Sequence, residues 1–207
     1  MTTKQKILNE ALTLFAEKGY SAVHVGDIAE AVGIKAPSLY KHYESKEDIF
    51  NAILKEMKKN YENRTAALKI DGSSAEKDTK VYSALSEDSL VKMVKELFLY
   101  FLHDDKARKF RKMLTVEQFR NTELARMLSK QYADDPLSYQ AAVFAGMTAG
   151  GFMKGEEPDV MALQFYSPLY LLLTLCDRQP ERENEAMSML ENHVRQFSRL
   201  YSGEGAQ

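Results

Sequence analysis

Apolar residues recur at spacings of three and four along almost the whole chain, and this is the period of an amphipathic helix. In residues 3–18, the recurring apolar side chains are Ile7, Leu8, Ala11, Leu12 and Phe15. No run of alternating polar and apolar residues predicts a strand, and the chain has only 10 Gly and 5 Pro among 207 residues. The sequence therefore predicts an all-α fold.

The same period places the other helices and one break between them. Helices are predicted at residues 25–31, 36–43, 45–61, 87–103, 106–119, 122–132, 136–153, 159–177 and 183–201. Residues 69–80 are polar and contain a glycine, so they are interpreted as a loop. We expect an N-terminal three-helix domain with the start of a connecting helix in residues 1–60, and a C-terminal helical bundle in residues 61–207.

The charge of the chain is nearly balanced, with 28 Lys and Arg against 30 Asp and Glu. Taken alone, this argues against a polybasic nucleic-acid-binding protein, although a few cations can still act locally. The single cysteine, Cys176, excludes an intramolecular disulfide framework and a cysteine-based zinc site. It is interpreted as a buried small apolar residue, and we expect the chain in the reducing cytoplasm.

Two uncharged stretches, residues 137–153 and 160–176, raise the question of a membrane. A spanning helix needs about 20 apolar residues, and both stretches are shorter and contain polar side chains. They are interpreted as helices that are buried on nearly every side. The first residues also lack an apolar signal-peptide core. No membrane partner is expected.

The segment around Gly33 has the pattern of a helix-turn-helix. Two short helices are joined at residues 32–34, where Gly33 permits a sharp turn. Pro37 suits the first turn of the second helix, where its missing N–H costs nothing. This helix would present donors, small groups and a stacking ring to base edges, namely Lys35, Ala36, Ser38, Tyr40, Lys41 and His42. The next helix would offer Lys46 to a phosphate.

Three runs in this region carry a family resemblance: Gly19-Tyr20, residues 27–34 and residues 39–49. In this order and spacing they resemble the N-terminal domain of the TetR family of transcriptional regulators, over about residues 7–54. The resemblance implies operator DNA as a partner, and a C-terminal domain that dimerises and binds a small effector. At matching positions it implies DNA contacts by Pro37, Ser38, Tyr40, Lys41 and His42, and a phosphate contact by Lys46.

The sequence departs from the family pattern at the start of the first short helix. Hydroxyl residues are usual there, but this chain has Val23-His24-Val25-Gly26, which leaves His24 as the candidate for a backbone contact. Lys35 likewise replaces the usual small hydroxyl cap of the second helix. The predicted DNA-binding residues are His24, Lys35, Ala36, Pro37, Ser38, Tyr40, Lys41, His42 and Lys46. Alternatives stay open for three of them: Tyr40 as a packing residue, His42 as an internal hydrogen-bonding group, and Lys46 as an ordinary solvated lysine.

The last two predicted helices favour an interface with a second copy. Residues 159–177 are apolar around the helix, and residues 183–201 add an apolar stripe at near-heptad spacing. Such a pair can form a four-helix interface with its symmetry mate, although simple core packing is the alternative. The predicted interface residues are Leu169, Leu172, Leu173, Cys176, Met187, Leu190, Val194, Phe197 and Tyr201. A dimer would place two recognition helices about 34 Å apart on a pseudo-palindromic operator.

Aromatic and methionine side chains are frequent on the C-terminal helices. Such residues are usually plain core, but together they make an apolar effector cavity plausible. The candidate lining residues are Phe98, Phe101, Met113, Phe119, Tyr139, Phe144, Met147, Phe165, Tyr166 and Tyr170. Because charges are absent from these stretches, we expect a neutral, lipophilic effector.

Residues 106–112 hold five cations in seven positions. A solvated helix face is the default interpretation, and contact with the N-terminal domain or with flanking phosphate is the alternative. The four histidines are scattered, and nucleophile-elbow, zinc-protease, phosphate-loop and paired-cysteine motifs are absent from the sequence. No enzyme activity, catalytic residue, metal or cofactor is therefore expected.

The sequence as a whole predicts a homodimeric repressor. A small effector would release it from a palindromic operator. The alternative is a helical small-molecule-binding dimer whose helix-turn-helix no longer binds DNA.

Overall fold

The computed structural model describes residues 1–155 and 157–203, and these residues contain helices and no β-strand. The helices are α1 (Thr3–Lys18), α2 (Val25–Val32), α3 (Ala36–Tyr40), α4 (Lys46–Ala67), α5 (Ala75–Tyr82), α6 (Glu87–His103), α7 (Asp105–Glu117), α8 (Thr122–Ser129), α9 (Asp135–Ala149), α10 (Pro158–Arg178) and α11 (Glu183–Tyr201). A π-helical turn, Lys130–Asp134, follows α8, and a 3₁₀ turn, Pro180–Arg182, precedes α11. The prediction of an all-α fold is confirmed.

Several element boundaries differ from the prediction. The polar segment 69–80 was expected to be a loop, but α5 forms in it because Ala75 and Tyr82 pack against a hydrophobic core. Tertiary packing of this kind overrides weak local propensity. Helix α3 ends at Tyr40, and α9 ends at Ala149, shortly before Gly151, which has a φ of 76°.

The chain divides into two compact units, and the first consists of Met1–Tyr61 and Asp104–Ser129. Helix α7 packs along α1 and contributes Phe110, Met113 and Leu114, which are fully buried. The rings of Phe110 and Phe50 lie 6.3 Å apart in a stacked arrangement. The first unit therefore contains the segment predicted as a domain, residues 1–60, and also α7 and α8, whose apolar faces the sequence pattern could not assign to it.

The second unit consists of Glu62–His103 and the residues from Lys130 onward. Its core contains three mutually packed rings, Phe144, Phe165 and Phe197, with centroids 4.9 to 5.7 Å apart. Helix α10 packs on α9, α11 and α6 within this unit. Among the described residues, α10 is also the one helix whose length and composition would suit a membrane span, a test that core helices of soluble proteins pass as well.

Candidate nucleic-acid interface

Helices α2 and α3 form a helix-turn-helix with an apolar inner face. Ile28, Ala29 and Leu39 are buried between the two helices and their neighbours. The turn contains Gly33 in the left-handed region, with a φ of 78°, and the Ile34 N–H donates to the Ala29 carbonyl at 2.9 Å. A side chain at position 33 would be strained in this conformation, so glycine is what permits the turn.

The outward side of this motif is accessible. His24, Lys35, Pro37, Tyr40, Lys41 and His42 are exposed, and Ala36 and Ser38 are partly exposed. Tyr40 is 52% exposed, whereas its neighbours Leu39 and Tyr43 are buried. Tyr40 is thus a surface ring and does not pack between the helices. Eight of the nine predicted DNA-binding side chains are open to solvent or nearly so.

The ninth, Lys46, has an internal role that the sequence did not indicate. Its ammonium donates to the carbonyls of Tyr20 and Val23, each at 2.9 Å, and lies 4.4 Å from the centroid of the Tyr20 ring. Burial lowers the pKa of Lys46, and the charge of Glu117 partly opposes that effect. Two of its three N–H donors are therefore used inside the protein, and one is left for a phosphate.

Sequence reasoning missed a cation next to the recognition helix. Lys4 lies in the first turn of α1, and its ammonium is 5.0 Å from the centroid of the Tyr43 ring, just beyond the end of α3. Lys4 and Lys6 sit at a helix N-terminus without an acidic residue in the first turn, where the helix dipole disfavours cations. The lack of an acid in this first turn was the signal in the sequence for a cationic helix start.

The cations of residues 106–112 are largely paired within the first unit. Lys106 bonds to Glu56 of α4, and both Arg108 and Lys109 pair with Asp105 one turn away on α7. Arg111 is buried, with 1% exposure. These cations therefore do not form a free basic patch, and Lys106 connects α7 to α4 of the same unit.

The predicted interface residues lie mostly inside the second unit. Leu172, Leu173, Cys176, Leu190, Val194 and Phe197 are buried, and Leu169, Met187 and Tyr201 are partly buried. A side chain that is covered within its own protomer is not available to a second copy, so the six buried residues are core, whereas Leu169, Met187 and Tyr201 remain a prediction. The exposed apolar side chains on the same two helices are Val160, Leu163, Leu171, Met189 and Leu200, and we call them the α10–α11 stripe.

Two of the ten predicted effector-pocket residues belong to the first unit and eight belong to the second. Met113 and Phe119 belong to the first unit, where Met113 is core and Phe119 is 89% exposed. Of the set in the second unit, Phe98, Phe144 and Phe165 are buried core, and Phe101, Tyr139, Met147, Tyr166 and Tyr170 are partly buried. A surface groove of about 380 Å³ between α10 and α11 contains none of the ten. The rings of Phe144 and Phe165 pack edge to face in the core of the second unit, 5.7 Å apart, and the effector pocket remains a prediction.

Two comparisons identify the N-terminal segment. Residues 7–53 match the family of bacterial regulatory proteins called the tetR family. The segment is 51% identical over 47 residues to IcaR of Staphylococcus epidermidis, a negative transcriptional regulator of the biofilm operon icaADBC. This match covers 23% of the present chain and 25% of IcaR. The sequence match thus spans about a quarter of the curated relative.

Solved structures share the fold of the whole chain at low sequence identity. SmeT, the repressor of the Stenotrophomonas maltophilia multidrug efflux pump SmeDEF, has a TM-score of 0.66 at 18% identity, over 100% of this chain and 94% of that one. The SmeT–triclosan complex has a TM-score of 0.72 at 18% identity, over 100% and 95%. The family and these relatives are regulators of transcription and not enzymes. The predicted resemblance to the TetR family is confirmed by sequence for residues 7–53, and the whole chain shares the fold of these solved structures.

Proposed function

We propose that this chain is a transcriptional repressor that binds operator DNA through α3. One observation carries the proposal: the helix-turn-helix fills its core with Leu39 and Tyr43 and leaves Tyr40, Lys41 and His42 exposed. A phenol ring at the end of this short helix, with an ammonium group and an imidazole in the turn that follows it, suits stacking, phosphate contact and base-edge hydrogen bonds. A repressor must reach its operator DNA, so we expect this chain to act in the cytoplasm.

Few cations support this binding. Residues 1–60 contain 9 Lys against 8 Asp and Glu, so the segment has a formal charge of only +1. Lys35 and Lys41 are exposed on the outward side of the motif, whereas Lys46 is largely engaged with backbone carbonyls. We therefore expect weak binding to arbitrary DNA and strong dependence on the correct sequence and on a dimer.

The proposal is tested by selecting duplexes with the purified chain from a random-sequence pool and measuring their affinity at several salt concentrations. We expect a pseudo-palindromic site. Lys41→Ala is expected to reduce the slope of log affinity against log salt by about 0.9 for each phosphate that the lysine neutralises, or about 1.8 for a symmetric dimer. Lys154→Ala, at an exposed lysine of the second unit, is the control and should leave the slope unchanged. Failure to enrich any sequence would contradict the proposal.

A second candidate function is a ligand-binding dimer that no longer binds DNA. The observation that favours it is the start of α2, where His24-Val25-Gly26 offers no hydroxyl to a phosphate and Lys46 donates to carbonyls instead. The same selection experiment separates the two, because this candidate enriches no duplex and still forms a dimer.

The partner in solution is proposed to be a second copy of this chain. The α10–α11 stripe exposes five large apolar side chains, between 48% and 61% in each case. Exposed apolar surface of this extent marks an interaction site, and an isologous contact lets the same stripe cover itself.

The effector is proposed to be a small, neutral, lipophilic molecule that binds the second unit. The support is the SmeT–triclosan complex, which has the same fold, together with the uncharged course of α9 from Pro136 to Ala149. Because Phe144, Phe165 and Phe197 pack against one another in this unit, a molecule that binds among them would have to open this core. We expect neutral aromatic compounds to raise the melting temperature of the chain, and stabilisation by anionic compounds alone would contradict the proposal.

A further inference from the structure

The loop between α1 and α2, residues 19–24, leads directly into the helix-turn-helix. Its last residue, His24, precedes α2, and its backbone N–H donates to the Asp27 carboxylate at 2.7 Å. Polar backbone groups of a loop require partners wherever water is excluded. Here the Ser21 N–H and the carbonyls of Tyr20 and Val23 obtain them from two charged side chains that are distant in sequence.

The first of these side chains is Glu117, the last residue of α7, which is 2% exposed. Its carboxylate accepts from the Ser21 backbone N–H at 3.0 Å and from the Ser21 hydroxyl at 2.9 Å. A buried carboxylate is costly unless hydrogen bonds or an opposite charge compensate it. Because Ser21 donates both of these hydrogen bonds, a buried Glu117 carboxylate requires Ser21 to stay in one position.

Gly19 makes room for this contact. A Cβ atom added at Gly19 would lie so close to the Oε1 atom of Glu117 that one of the two would have to move, and the φ of Gly19 is 86°. Both facts favour glycine at this position. Glycine at this position thus lets the loop backbone and the carboxylate of α7 lie close together without strain.

The second side chain is Lys46, whose ammonium holds the Tyr20 and Val23 carbonyls. The loop is therefore bound by a carboxylate at one backbone donor and by an ammonium at two acceptors. Glu117 also acts electrostatically on Lys46, since its charge raises the pKa of that lysine against the effect of burial. Opposite charges from α7 and α4 determine where the loop lies, and the loop determines where α2 begins.

We propose that Glu117 is a positioning residue for DNA binding, which acts through Ser21 on the placement of α2 and α3 and makes no contact with DNA itself. The inference rests on the proposed function. Glu117 lies outside the segment matched by the family, residues 7–53.

The test compares Glu117→Ala, Glu117→Gln and Ser21→Ala on a duplex selected by the wild-type chain. We expect affinity to fall about tenfold or more for Glu117→Ala, and less for Glu117→Gln, which keeps one acceptor oxygen. Ser21→Ala removes only the hydroxyl bond and should have the smallest effect. The slope of log affinity against log salt should stay at the wild-type value in all three variants, because every phosphate-binding cation is retained. Glu17→Gln, at an exposed acid on α1, is the charge-matched control.

A readout without DNA separates this inference from the proposed function. Hydrogen exchange of the Ser21 amide should be slow in the wild-type chain and faster in Glu117→Ala, with the rest of α1 unchanged. If the Ser21 amide exchanges faster in Glu117→Ala but the wild-type chain selects no duplex, the proposed function and the DNA role of Glu117 are both refuted. Only the contact between Glu117 and the loop then stands. Wild-type affinity in both Glu117 variants would overturn the inference while the proposed function stands.

If Glu117→Ala does not fold, Glu117→Gln and Ser21→Ala decide, and unchanged affinity in these two variants refutes the inference. A slope changed by about one unit or more would show an altered phosphate contact and would also overturn it.

Discussion

Replacing Asp78 with alanine is expected to destabilise the second unit by about 3 kcal/mol. Asp78 is 1% exposed, and its carboxylate accepts from the backbone N–H groups of Asp71 at 2.7 Å and Gly72 at 2.8 Å, and from the Tyr139 hydroxyl at 2.6 Å. Alanine would leave all three donors without this acceptor. For a chain of this size the apparent melting temperature should fall by about 6 to 12 °C, as measured by circular dichroism.

Two further variants test whether the loss of stability comes from the hydrogen bonds of Asp78. Glu76→Ala, at an exposed acid of the same helix, should change the melting temperature by no more than about 2 °C. Tyr139→Phe removes one of the three hydrogen bonds and should cost about 1 kcal/mol. Burial, with Tyr82 and Asp78 as neighbours, raises the pKa of Tyr139 far above its ordinary value, so the phenol remains a donor at any working pH. A melting temperature of Asp78→Ala within about 2 °C of wild type would contradict the assignment of Asp78 as the stabilising acceptor for these three donors.

Introducing glutamate at both Leu163 and Leu171 is expected to separate the proposed dimer. These residues are 53% and 61% exposed on α10, so the substitutions do not disturb the core of the unit. At an isologous interface each copy would contribute two carboxylates to an apolar contact. These like charges would lose their hydration and repel one another, so the contact should be lost. Light scattering should give about twice the 23.6 kDa chain mass for the wild type and the chain mass for the variant. The variant should also bind a duplex with two half-sites far more weakly than the wild type, because single recognition helices bind weakly.

Phe119→Glu is the matched control for that experiment. Phe119 is 89% exposed and lies in the first unit, outside the α10–α11 stripe. It should leave both the mass and the DNA affinity at the wild-type values. If the Leu163→Glu, Leu171→Glu double variant is still a dimer, the contact between copies lies outside the α10–α11 stripe.

Much of the fold follows from local pattern. The helical period of α1, the glycine at position 33 and the proline at position 37 fix where helices begin and turn, because each acts through its own backbone. The exposed residues of α3 follow from the same information, since Leu39 must face inward for the motif to have a core. These features were predictable from residues that are close in sequence.

The contacts of single side chains were less predictable. Lys46 looks like a phosphate contact by its position in the motif, but it donates to carbonyls more than 20 residues earlier. The apolar stripe of α11 suggested an interface, yet Leu190, Val194 and Phe197 turn to the core of their own protomer. Periodicity shows that one face of a helix is covered, and it does not say by which neighbour.

The sequence by itself determined an all-α chain with a TetR-like helix-turn-helix in about residues 7–54, because capping, turn residues and helical period are local properties. Only the tertiary structure decided that Glu117 binds Ser21 across 96 positions, that Asp78 is buried under Tyr139, and which apolar side chains of α10 and α11 remain exposed. These contacts depend on which helix faces pack together, and packing is selected by the total buried surface and its hydrogen bonds rather than by any short run of residues.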